Sequence, residues 1–493
     1  MARWRPLTML PSTALAPSRT PTPRLRRQSA SRLLYHALQQ GTPDADTRTR
    51  AAHWLRRKLL ETAGLPNTLP DDPQDLHAWS ETAAVQVAEQ YEAYLAERQG
   101  GAPRRYFGNR SHALHFLRCV APTKLVDGSW LYGLAAHAAN PRLMPLVNTY
   151  LEELGDGAPD KNHVLLYRRL LTRHGIPVED DDSLPDALYE QGLVQLALAW
   201  NAEQFLPEVV GFNLSYEQLP LHLLITSHEL NELGIDPYYF TLHVTVDNGH
   251  SGHARQACDA VLALLPRHGD PQAFWQRVRA GARLADAGVG TTQVIAGFDL
   301  GAEVQRILAA KAPAGCGVHS NYCRVAGKNV NQWLADPKQM PAFMQALVDT
   351  GWVTPGAPAA QSRFWRLLQG ERAEMFGVFS PYELQVIHDW LRGEDSADGQ
   401  AWDERGAANQ SASRKRPSFR ALARAAQTRI DEGGATTPQP LPLDPDVPAF
   451  EAHLRALQGP ERRAALVAAM APGEHWTPVG LRATQLFRSE CFA

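Results

Sequence analysis

The sequence has few cysteines, no long apolar run, almost no net charge and only 8% aromatic residues. Each shortage closes a class of protein. The five cysteines, Cys119, Cys258, Cys316, Cys323 and Cys491, are an odd and widely spaced set in 493 residues. They exclude a disulfide framework and lead us to expect a reducing, cytoplasmic compartment. No C-x-x-C pair is present, so Cys316, His319 and Cys323 make a poor zinc site. The longest apolar run, Leu193–Trp200, is interrupted by Gln195 and falls far short of the ~20 residues of a membrane span. Lys and Arg total 49 against 52 Asp and Glu, a formal charge of −3. That balance offers no bulk attraction for nucleic acid or an anionic membrane. There is no P-loop, G-x-G-x-x-G, G-x-S-x-G or H-E-x-x-H motif, and no internal repeat.

What is present is a hydrophobic fraction of 44%, enough for a sizeable core. Residues 1–43 hold seven arginines and no acid; with no clean amphipathic pattern, 1–45 reads as a disordered tail. Residues 46–111 read as a helical extension, with helices closing near Gly64 and Gly100–Gly101. From 112 to 392, apolar positions recur every three or four residues between Gly and Pro breaks, and strand alternation is scarce. This predicts an all-α core. The glycine-rich stretch 288–298 reads as a helix–helix connection. Residues 393–446 are polar and rich in Gly and Pro, a linker with one helix near Ala421–Asp431. A helical tail over 447–493 follows.

Chemistry concentrates in residues 237–264. His243, Asp247 and His250 form H-x-x-x-D-x-x-H. On one continuous helix they share a stripe, at 100° per residue. Two imidazoles and a carboxylate on one face suit iron, manganese or zinc. His253 lies at the edge of that stripe and reads as a solvent-facing or capping histidine, or else as a hydrogen-bond donor to a ligand or an alternative ligand. Gly249 and Gly252 signal close packing or a local distortion.

One helix supplies half a site, and neighbouring helices must supply the rest. In the segment 206–224, Glu208 sits in a first turn where a carboxylate suits the helix dipole. Glu217 lies mid-helix among apolar residues, where an unpaired carboxylate is costly, and is the better ligand. In 148–175, Glu152 or Glu153 ends a helix, Gly-Asp-Gly breaks it, and His163 opens the next. Asp127 stands in KLVDGSWLYGL, at an otherwise apolar helix start; an N-cap or turn aspartate is its other reading.

In order, Asp127, Glu153, His163, Y-E-x-x-P at 216–220 and Y-F-x-x-H-x-x-x-D-x-x-H at 239–250 resemble the haem-oxygenase-like diiron oxidases, the iron-containing redox enzymes. The resemblance covers about 115–265 and continues through GWVTPG and MFGVFSPYELQVIHDWL to about 392. It implies a seven-helix bundle of haem oxygenase topology without haem. It further implies two Fe(II) per chain held by Asp127, Glu153, His163, Glu217, His243, Asp247 and His250, with O2 as co-substrate. Asp247 can also be read as a partner to a liganding histidine. The implied activity is oxygenase or oxidase chemistry on a small amine, amino acid or fatty acid: N-oxygenation, oxidative C–C cleavage or decarboxylation. An external electron donor and a homodimer are left open. The chain departs from the pattern at Asp127, one methylene shorter than the usual glutamate, and in its terminal extensions.

Three other readings stand beside this one. A single zinc or manganese on His243, Asp247 and His250 would make a hydrolase or a structural site. A degenerate site would leave a non-catalytic helical scaffold. A cofactor-free relative would bind a small heterocycle.

Overall fold

Apolar residues spaced three and four apart, punctuated by Gly and Pro, build helices nearly everywhere. The computed structural model describes residues 28–179, 181–246, 252–369, 373–393 and 443–491. In chain order the helices are α1 Ala30–Gln39, α2 Ala45–Glu61, α3 Leu76–Gln99, α4 Arg110–Lys124, α5 Met144–Glu153, α6 His163–Arg173, α7 Glu190–Trp200 and α8 Leu206–Tyr216. Next come α9 Leu221–Glu232, α10 Tyr238–Val246, α11 His253–Leu264, α12 Pro271–Arg283, α13 Thr291–Ala296 and α14 Leu300–Gly315. The remainder are α15 Val330–Leu334, α16 Met340–Asp349, α17 Arg363–Leu368, α18 Pro381–Arg392, α19 Asp446–Arg455, α20 Gly459–Ala469 and α21 Pro478–Cys491. Among the described residues the sole sheet is a two-residue antiparallel ladder, β1 Arg324–Val325 with β2 Lys328–Asn329. The architecture is all-α, consistent with a haem-oxygenase-like bundle. No described helix is long and apolar enough to cross a membrane.

The N-terminal expectation needs correction. Residues 30–39 are helical, capped by Ser29, whose hydroxyl accepts the Arg32 amide. Leu34, Tyr35 and Leu38 share one face and are buried, and Tyr35 donates to the Pro122 carbonyl at 2.8 Å. Leu34 and Leu38 have the i, i+4 spacing of an amphipathic helix. Residues 1–27 lie outside the described residues. So do 394–442, nearly all of the expected linker and its helix near 421–431. The 288–298 connection contains a helix of its own, α13, because the Gln293 side chain accepts the Gly290 amide and caps it.

Two helix crossings set the frame of the core. At the α8–α12 crossing, a Cβ on Gly211 would lie 1.8 Å from the Val278 carbonyl, and one on Gly281 would lie 2.2 Å from that of Glu208. Only glycine permits this approach of backbones. Arg277 closes the crossing with a two-pronged pair to buried Glu208, both contacts at 2.7 Å. Glu208 is thereby a packing carboxylate. The second crossing runs through the 3₁₀ helix Ser129–His137, which lies against α7; Gly133 sits where a Cβ would be 2.5 Å from the Ala199 carbonyl.

Candidate metal centre

The centre is assembled at helix ends. Asp127 lies in the turn between α4 and the 3₁₀ helix, not at a helix start. Gly128 follows with φ 77°, and its missing Cβ would stand 2.7 Å from that of Glu153. A side chain here would therefore push Glu153 away from Asp127. Glu153 is the last residue of α5. Gly155, Asp156 and Gly157 then take positive φ of 63°, 53° and 80°, a sharp reversal that glycine tolerates. It returns the chain so that His163, first in α6, faces Glu153. His243 comes from α10.

Asp127, Glu153, His163 and His243 each present one ligand-capable atom, all within 4.8 Å of one another. Three are buried and His243 nearly so. His243 donates Nδ1–H to the Tyr239 carbonyl at 2.9 Å; a carbonyl only accepts, so that nitrogen carries the proton in the neutral ring. Its Nε2 faces Asp127 Oδ2 at 3.3 Å, where a second ring proton or a bound cation completes the contact. His163 Nδ1 lies 2.7 Å from Glu153 Oε2, yet this buried nitrogen makes no hydrogen bond. Tyr239 donates its hydroxyl to Asp127, and Lys124 Nζ stands 3.8 Å from the same carboxylate. Burial would raise Asp127, but Lys124 and His243 hold it below the usual carboxylate range. Burial likewise opposes ionisation of Glu153, and His163 overrides it.

A second group adjoins the first: Glu153, Glu217 and His253, all buried. His253 Nδ1 is 3.1 Å from Glu217 Oε2 and 3.7 Å from Glu153 Oε1. Its Nε2 meets Glu152 Oε2 at 2.6 Å. Glu153 thus turns Oε2 to His163 and Oε1 to His253. The two adjacent glutamates both serve, Glu153 within the two groups and Glu152 behind His253, where it fixes the orientation of the ring.

Several expectations change here. The segment 206–224 is two helices, because Pro220 disfavours helical backbone at Leu219. Glu217 is therefore the C-cap of α8, not a mid-helix residue. The solvent-facing or capping reading of His253 fails, since it is 3% exposed among three carboxylates. The single-stripe geometry does not extend to it: α10 is described to Val246, Gly252 is extended, and His253 opens α11. Asp247 and His250 lie outside the described residues. Sequence reasoning also missed His475, 1% exposed, whose Nδ1 accepts from Asn162 beside His163. Burial, with His163 near, pulls His475 down to about 3, so its ring is neutral. Cys316, His319 and Cys323 belong to no metal-capable group among the described residues.

Fold and site together define a buried carboxylate–imidazole centre held between helices, a chemistry suited to a divalent transition metal. Residues 114–286 match the model of a family described as iron-containing redox enzymes. The match contains Asp127, Glu153, His163, Glu217, His243 and His253, and it ends at 286, well before residue 392. No curated protein and no solved structure matches the chain.

Proposed function

We propose that this protein is a non-haem diiron oxidase or oxygenase that uses O2 to oxidise a small amine, amino acid or fatty acid. The observation that supports it best is Glu153, whose two oxygens divide between two adjacent ligand groups. A carboxylate so placed can bridge two ions, the arrangement of helical di-metal carboxylate centres. Asp127, His163 and His243 would hold one iron, and Glu217 and His253 the other. Asp247 and His250, outside the described residues, remain in the proposed set between α10 and α11. Iron, when bound, would supply the electrons that reduce O2.

The chain's own groups have separable tasks. Tyr239, kept protonated by burial beside Asp127, orients that carboxylate. The Tyr239 carbonyl fixes the His243 tautomer. Glu152 fixes the ring of His253. Tyr216 is half-buried, and Trp130 and Phe212 pack on its ring.

The test is anaerobic Fe(II) titration followed by rapid mixing with O2, monitored in the visible. We expect two equivalents of iron per chain and a transient band that decays faster with a substrate amine. His243→Ala should abolish the band. One equivalent or none, with tight zinc and no reaction with O2, would sink the proposal.

A further inference from the structure

We infer that the C-terminal segment 446–491 is a positioning element of the metal centre, so that docking of this segment and metal binding strengthen each other. The inference rests on the reading of the centre as a metal site, and it concerns residues beyond the family match, which ends at 286.

Two hydrogen-bonded routes run from this segment to the two halves of the centre. The first passes through His475. Asn162 caps α6 by accepting the Leu165 amide on Oδ1 at 2.9 Å, which fixes its amide orientation. Its Nδ2 donates to the Leu154 carbonyl at 3.1 Å and to His475 Nδ1 at 3.2 Å. Leu154 follows Glu153 and Asn162 precedes His163. One amide, held from behind by His475, therefore sets the separation of two ligand-bearing helix ends.

The second route passes through Arg488. Its Nη1 donates to Asn148 Oδ1 at 3.1 Å and pairs with Asp156 at 2.8 Å. Asn148 donates onward to Glu152 Oε1 at 2.8 Å, and Glu152 Oε2 holds His253 Nε2 at 2.6 Å.

The backbone between the two routes is fitted just as closely. A Cβ on Gly157 would lie 2.4 Å from the Leu481 carbonyl, and Gln485 donates to the Gly157 carbonyl at 3.1 Å. Tyr150, in the helix that carries Glu153, donates to the Met470 carbonyl at 2.6 Å. The connection that brings Glu153 and His163 face to face is thus held against α21. Coupling of this kind is reciprocal: whatever the docked segment adds to metal affinity, bound metal adds to docking.

The experiment uses the full chain in four forms: parent, Arg488→Met, Arg488→Lys and His475→Asn. Co(II) affinity is measured anaerobically by its visible spectrum. Amide exchange of α21 is followed by mass spectrometry with and without Co(II). We expect Co(II) to slow exchange in α21 of the parent by about tenfold or more. Arg488→Met should weaken Co(II) binding at least fivefold and lose that protection, with Arg488→Lys partly restoring both. His475→Asn serves as the independent probe of the first route and should weaken binding while circular dichroism stays unchanged. Parent-like Co(II) affinity in Arg488→Met and His475→Asn, or α21 exchange indifferent to Co(II), overturns this inference and leaves the metal site standing. A parent that binds no metal overturns the site and this inference together.

Discussion

Glu153 offers one oxygen to each half of the centre, so replacing one oxygen should disturb both. Glu153→Gln should bind well under one equivalent of Fe(II), whereas Asp127→Asn, confined to the first group, should retain about one. Metal titration by absorption or calorimetry distinguishes the two. The same carboxylates predict an acid response in the metal-free protein. Asp127 is held below its ordinary range by Lys124 and His243. Its contribution to stability is therefore present above the ordinary carboxylate pKa and is lost as pH falls through the lower folded value. Unfolding midpoints of Asp127→Asn should fall less than those of the parent between about pH 4 and pH 2. Asp127, Glu153, His163 and Glu217 could be singled out from the sequence because each breaks an otherwise hydrophobic run. Glu152 was visible only as a rival to Glu153, since sequence cannot show two neighbours turning to opposite jobs. His475 carried no signal at all, because its partner Asn162 is 313 residues away.

Helices here are placed by what their ends and crossings lack. Gly211→Ala would drive a methyl into the Val278 carbonyl. Overpacking of this kind costs about 1–3 kcal/mol or more, so thermal unfolding should shift down clearly while Fe(II) stoichiometry is kept. Gly128→Ala should do the reverse in kind, with a modest stability loss of about 1–2 kcal/mol for the left-handed backbone and a large loss of metal affinity as Glu153 is displaced. Comparing unfolding midpoints with metal titrations of the two variants separates a packing glycine from a site glycine. Helix content could be read from periodicity, but helix continuity could not. Extending the stripe from His243 as far as His253 presumes an unbroken helix through Gly252, and Gly252 is extended. Two glycines within four residues were the available sign that His253 begins a new helix and so points by its own geometry. Pro220 gave the matching sign for Glu217.

For the molecule as a whole, a buried set of carboxylates with Lys124 as a neighbouring cation favours any state that adds positive charge. Metal should therefore stabilise the folded chain by mass action, by about 2.7 kcal/mol at a free concentration one hundred times Kd. Scanning calorimetry should show the midpoint rising with Fe(II) or Co(II) and returning with chelator, and no such shift in Glu153→Gln. The all-α class followed from composition and spacing alone, because those properties are local. Which distant segments meet is not local, and the packing of the C-terminal helices onto the loop between Glu153 and His163 could not be foreseen. Arg488 and Asn148 are 340 residues apart. At about 5–20 residues per second, a ribosome needs roughly 20–70 s to travel between them. A newly made chain thus holds Glu153 and His163 for that interval without the groups that steady them. Iron loading should then follow completion of the polypeptide, and a nascent chain stalled before residue 446 should expose its acidic pocket unfilled.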